Sequence, residues 1–145
     1  MSRSVDVALE GVRIPLARDR IAAIADGTLR AERVKDALLS ITFVTPRRIA
    51  AINREHLGHK GPTDVISFGF TRATATDPVV GDIYICPDVA RRAAAERGIG
   101  VREELARLVV HGTLHVLGYD HPESDERERS AMWKRQESLL ARLTR

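Results

Sequence analysis

The sequence predicts an α+β (mixed α/β) fold, with a four-stranded mixed sheet packed against about five helices. Three observations carry that expectation. Four short stretches rich in β-branched and apolar residues alternate with longer segments whose apolar residues recur at helical spacing. Turn residues separate these segments, notably Gly58, Gly98 and the pair Asp77-Pro78. No repeat, low-complexity tract or linker divides the 145 residues, so residues 1–145 read as one domain.

Residues 5–9, Val-Asp-Val-Ala-Leu, alternate in polarity and read as a first strand. Pro15 suits the first turn of a helix, and Leu16, Ile21, Ile24 and Ala25 follow a rough helical period. Gly27 is expected to break that helix, leaving a shorter helical segment over residues 31–36. Residues 38–44 are apolar and β-branched enough for a second strand. Pro46 opens a helix reaching to about Leu57, with Ile49, Ile52 and Asn53 near one face, and residues 58–62 form a loop. Residues 64–70 and 79–86 read as the third and fourth strands, with a polar stretch between them. Pro87 and Asp88 start a helix that ends near Gly98. Residues 101–117 form a strong amphipathic helix, with Leu105, Leu108, Val109 and Leu114 on its buried side. Residues 123–143 are a charged final helix whose apolar stripe is Met132, Leu139, Leu140 and Leu143.

Composition narrows the function classes. Hydrophobic residues at 43% and charged residues at 30% describe a globular chain rather than a disordered one. The longest uncharged apolar runs fall far short of a membrane span. The opening Met-Ser-Arg-Ser-Val-Asp lacks the apolar core of a signal peptide, so no secretory signal and no membrane contact are expected. A single cysteine, Cys86, excludes an internal disulfide and fits a reducing compartment. Its place after Asp-Ile-Tyr-Ile suits a buried strand-end thiol better than a reactive one. A net charge of +3 is compatible with a nucleic-acid partner without establishing one. Six aromatic residues are too few for a single-strand binder built on rows of stacked rings.

The densest chemical signal is His111-Gly-Thr-Leu-His115-Val-Leu-Gly118-Tyr-Asp-His121, with the spacing H-x3-H-x5-H. Residues four apart share a helix face, so His111 and His115 are placed to offer two imidazoles to one ion. Gly118 stands where a left-handed helix end would turn His121 back toward them. Three nitrogen ligands with an open fourth position are the arrangement of a catalytic zinc site, not a closed structural one. Imidazoles also suit copper, nickel and iron; the absence of carboxylate clusters argues against magnesium and calcium. One zinc ion is the default, and nickel would fit the same nitrogens in vitro. The spacing resembles the zinc-protease motif H-E-x-x-H-x-x-G-x-x-H, except that Gly112 stands where the protease carries its glutamate base. Without that carboxylate, peptide hydrolysis lacks its usual proton acceptor.

These residues closely resemble the signature of the YbeY family, bacterial endoribonucleases and rRNA maturation factors. Two further stretches agree: Asn53 through Pro62-Thr-Asp-Val-Ile-Ser-Phe68 resembles the family's central motif, and Gly81-Asp-Ile-Tyr-Ile85 its last strand. The resemblance implies a zinc-hydrolase-like fold and a single zinc ion held by His111, His115 and His121. It implies single-strand-specific endoribonuclease activity in 16S rRNA 3′-end maturation and ribosome quality control. RNA (a 16S rRNA precursor) and the small ribosomal subunit are the implied partners, in the cytoplasm. One departure stands out. Many members carry an arginine that faces the metal where this chain has Leu57, and Lys60 replaces a common aspartate. Arg54 lies one helical turn earlier and is the candidate substitute for binding substrate phosphate.

No catalytic residue is assigned. Asp120 is next to a ligand and reads equally as a base or as a turn cap; Asp64 and Asp82 either buttress the site or satisfy strand-end amides. Arg47, Arg48, Arg54, His56, His59 and Lys60 cluster around the central helix and loop, and Arg91, Arg92 and Arg97 lie on another helix. Each group is a candidate RNA footprint or a solvated surface. Either nucleophile, water or the ribose 2′-hydroxyl, remains compatible with the sequence. Two rival readings keep the metal: a zinc peptidase or amidohydrolase, which Gly112 disfavours, and a non-catalytic ribosome assembly factor with structural zinc, which Leu57 favours.

Overall fold

The chain runs β1 (Arg3–Leu9), α1 (Arg18–Ala31), β2 (Ala37–Phe43), α2 (Pro46–Ile52), β3 (Val65–Gly69), β4 (Val79–Ile85), α3 (Pro87–Arg97), α4 (Val101–Val116) and α5 (Glu126–Leu143) in a computed structural model that describes residues 2–119 and 126–145. The strands form one sheet in the order β1-β2-β4-β3. β1, β2 and β4 are parallel, and β3 closes one edge antiparallel to β4, so the sheet is mixed as expected. The predicted α+β class, the four strands and the five long helices are all present among the described residues.

Alternation in the strands decides which helix lies on which face. Leu39, Ile41 and Phe43 pair with Gly81, Ile83 and Ile85 across β2 and β4 and point to one side. There they meet Ile21, Ile24 and Leu29 of α1, Leu105, Val109 and Leu114 of α4, and Met132 and Leu139 of α5 in the main core. The opposite face is covered at its β3–β4 end by α2, whose Ile49 and Ile52 pack with Ile66, Phe68 and Tyr84. α4 lies over β3 and β4, and α5 packs on α4 and α1. Cys86 is fully buried at the end of β4, and burial pushes its thiol pKa up, as fits a structural thiol. Among the described residues, no helix is long and apolar enough to cross a membrane.

Three expectations about the first helix are corrected. The helix starts at Arg18, with Ala17 as N-cap, rather than at Pro15. It runs through Gly27 without a break. A Cβ at Gly27 would lie 2.5 Å from Leu143 Cδ2, so this glycine makes room for the end of α5 instead of interrupting α1. Of the segment expected to be helical over residues 31–36, only Ala31 is, as the end of the first helix: Arg33 adopts a left-handed φ of 61°, and Val34 N–H donates to Leu29 O at 2.9 Å to close the helix end. The helix expected from Pro46 to about Leu57 is present, but its last five residues, Asn53–Leu57, form a π-helical turn. Thr45 caps its start by accepting from Arg48 N–H at 3.2 Å.

Candidate active site

α4 delivers the two histidines. One face of this helix buries Leu105, Val109 and Leu114, which leaves His111 and His115 half-buried at its flank. Their rings meet edge to face, with centroids 4.5 Å apart and planes at 73°. This is the i, i+4 juxtaposition expected from the spacing. His121 and Asp120, the third expected ligand and its neighbour, lie outside the described residues. Among the described residues no group of three or more histidine, cysteine, aspartate or glutamate side chains gathers as a metal site. The two described members are nitrogen donors on one face, which fits zinc and does not fit magnesium or calcium.

Gly112 sits between the histidines with its back to the sheet. A Cβ there would lie 2.9 Å from Ile83 Cγ2 and 3.0 Å from Ser67 Oγ. The position of the protease glutamate is therefore filled by strands β3 and β4, and a carboxylate has no room there. At the end of α4, Gly118 takes φ +101°, reachable at low cost only by glycine. Gly118 N–H donates to His115 O at 3.0 Å and Tyr119 N–H to Leu114 O at 3.1 Å, the two bonds of a Schellman motif. The expected left-handed turn is thus present. Tyr119 is then pinned: its hydroxyl donates to Glu32, whose carboxylate is also held by Arg135 Nη2 at 2.7 Å. The hydrogen bond to Glu32, with burial, raises the pKa of the Tyr119 hydroxyl.

A cavity of about 260 Å3 opens beside His115, walled by the end of β3 and the residues after it. Gly69 makes this wall possible: a Cβ there would lie 2.8 Å from Val116 O, so β3 presses directly on the end of α4. Phe70 follows, fixed by its N–H to Val80 O at 2.9 Å, and its side chain is 57% exposed in the same cavity as His115. Behind His111, Gln136 of α5 brings Oε1 to 2.6 Å from Nδ1. Gln136 is 2% exposed, and its amide touches Glu137, which pairs with Arg107. The sequence singled out neither residue. Phe70 looks like an ordinary strand-end aromatic, and Gln136 reaches the site from another helix.

Other expected residues are placed elsewhere. Arg54 and Leu57 are exposed on the π-helical turn, Leu57 at 48%. Their neighbour His56 rests edge-on against Phe68, with ring centroids 5.5 Å apart, on the sheet face turned away from α4. Asp82 points to that same face and accepts from Ser40 Oγ at 2.7 Å, which is a cross-strand structural bond. Asp64 gives its backbone carbonyl to Cys86 N–H at 2.9 Å. Of the second basic group, Arg97 pairs with Glu104 at 3.3 Å and Arg91 with Asp88 at 2.9 Å, so both are engaged within the protein.

The comparisons with known proteins converge on one family. A family model described as Endoribonuclease YbeY matches residues 10–144. An Endoribonuclease YbeY of Frankia casuarinae is 43% identical over 133 residues, spanning 84% of this chain and 65% of that relative. The chain thus covers just under two thirds of that relative's length. The Thermobifida fusca relative of the same name is 38% identical over 146 residues, spanning 95% of this chain and 92% of its own. The solution structure of a Thermotoga maritima protein aligns with a TM-score of 0.64 at 21% identity, over 97% of this chain and 89% of the other, which supports the fold. The histidine pair on α4, the sheet beneath it and these matches agree, and the chain belongs to the endoribonuclease YbeY family, hydrolases of RNA phosphodiester bonds.

Proposed function

We propose that this chain is a zinc-dependent, single-strand-specific endoribonuclease that acts in 16S rRNA 3′-end maturation and ribosome quality control, at the small ribosomal subunit in the cytoplasm. The observation that carries the reading is the cavity shared by His115 and the exposed Phe70. A stacked base must be unpaired, so an aromatic ring beside the histidines favours single strands over duplex. His111, His115 and His121 would hold one zinc ion, which supplies a Lewis acid to offset negative charge developing on the phosphate. Phe70 holds one base and so fixes which phosphate lies beside the histidines. Arg54, exposed on the π-helical turn, contributes a phosphate contact.

The test is cleavage of matched single-stranded and duplex RNA by protein of measured zinc content, with His115→Ala as the control for contaminating nuclease. Equal cutting by the variant and the wild type would exclude the site, and equal cutting of duplex would exclude the strand preference. Zinc removal separates the rival assembly-factor reading: activity lost with the fold intact supports catalysis, and unfolding supports a structural ion. Products retaining a 2′,3′-cyclic phosphate would identify the ribose hydroxyl as nucleophile.

Binding gives a second expected result. With metal-free protein, Phe70→Ala weakens binding of a 2′-O-methyl single strand by roughly 5- to 150-fold, the range for losing one base stack. Arg54→Ala instead lowers the slope of log affinity against log salt by about 0.7, the loss of one phosphate contact. Fluorescence anisotropy over a salt series reads both, and an unchanged affinity in Phe70→Ala removes the stacking role.

A further inference from the structure

The structure assigns a positioning role to Gln136: it holds His111 in the tautomer protonated on Nδ1, so that Nε2 is the nitrogen presented to a metal. This rests on His111 being a ligand. The 2.6 Å contact between Gln136 Oε1 and His111 Nδ1 does not by itself say which side donates, because a ring nitrogen either gives or accepts. The surrounding groups decide it.

Gln136 Nε2 donates to Glu137 Oε2 at 3.0 Å. A flipped amide would place its oxygen against that carboxylate, acceptor against acceptor, and lose the bond. This orientation holds while Glu137 is ionised, and Arg107 keeps it so. Arg107 Nε donates to Glu137 Oε2 at 3.0 Å and Nη2 to Oε1 at 3.0 Å, a two-pronged pair. Burial pushes the Glu137 pKa up, but the hydrogen bonds from Arg107 and Gln136 and the charge of Arg107 together outweigh it, and the net shift is downward. Arg107 in turn is fixed on α4 by Glu104 at 3.0 Å and Glu103 at 3.2 Å.

The amide of Gln136 therefore has one orientation, with Oε1 toward the imidazole. A carbonyl oxygen only accepts, so Nδ1 carries the hydrogen. In the neutral ring the lone pair is then on Nε2, the nitrogen on the far side from α5. The ring's tautomer and its rotation are both set before any ion arrives. Partners of this kind behind a ligating histidine typically contribute 10- to 100-fold in metal affinity.

The experiment uses the full chain with zinc alone as the probe. Long-range proton–nitrogen NMR correlations of His111, taken where the ring is neutral, should show Nδ1–H before zinc and Nε2 shifted on its addition. Gln136→Met removes the acceptor at similar volume. It should populate the other tautomer and weaken zinc roughly 10- to 100-fold in competition with a chromophoric chelator. Gln136→Glu restores an acceptor and should recover the Nδ1–H form. Glu137→Gln, which frees the amide without truncating it, is the second variant should the methionine variant fail to fold, and should show mixed tautomers. Nε2–H on wild-type His111, or unchanged zinc affinity in Gln136→Met, overturns the inference alone. Wild-type protein whose His111 does not respond to zinc overturns the site reading beneath it.

Discussion

Gly112→Glu, which completes the zinc-protease motif in the sequence, should unfold the protein rather than convert it into a peptidase. The first side-chain carbon alone would sit 2.9 Å from Ile83 Cγ2 and 3.0 Å from Ser67 Oγ. Ile83 is fully buried, and Ser67 Oγ is buried with no hydrogen-bond partner among the described residues. Overpacking of this kind typically destabilises by about 1–3 kcal/mol. Here it is compounded by a carboxylate forced into the apolar layer between helix and sheet. A loss above about 4 kcal/mol is expected, a large share of the ~5–15 kcal/mol that holds a domain together. Urea denaturation of the variant measures it. A midpoint unchanged from wild type would mean that α4 can lift off the sheet, and the packing argument against the peptidase reading would fall.

Arg107→Met should destabilise by about 3–5 kcal/mol, the range for breaking a buried ion pair from one side. Arg107 is 12% exposed and serves three carboxylates, Glu103, Glu104 and Glu137. Glu104 is 1% exposed, and in the variant only Arg97 among the described residues, half-exposed and 3.3 Å away, remains to meet its charge. The pH dependence gives a sharper signature. The Glu137 pKa is lowered on folding from its ordinary value of 4.5, so its stabilisation is present above that value. It is lost as pH falls through the lower folded value. Wild-type stability should therefore hold until the pH approaches 4.5 and decline on acidification below that, and the decline should be shallower in Arg107→Met. Parallel curves would remove Glu137 from the account. The same substitution loosens the carboxylate that orients Gln136, so zinc affinity should fall with stability.

Local pattern was enough to place most of the fold. Apolar and β-branched composition marked the strands that carry Ile41 and Ile83, and helical period put Leu105, Val109 and Leu114 on the buried side of α4. The histidine pair was legible for the same reason: a spacing of four on a helix is a local geometric fact. So was the turn at Gly118, where glycine alone reaches φ +101° without strain. Gly27 was misread because its reason is not local. Helix propensity marks it as a breaker, but Leu143 packs where its side chain would be.

The sequence by itself determined the element types, the nitrogen-rich character of the site and the family to which the chain belongs. Only the tertiary structure decided what surrounds the histidines. It set β3 and β4 against Gly112, which closes the position a protease base would need. It brought Phe70 from a strand end and Gln136 from α5 to either side of the pair, and turned the segment of Arg54 toward the other face of the sheet. Periodicity reports which face of an element is buried, but not which other element covers it. That is settled by the order of strands in the sheet and the close approach of α4 and α5, and both depend on contacts between residues far apart in the chain.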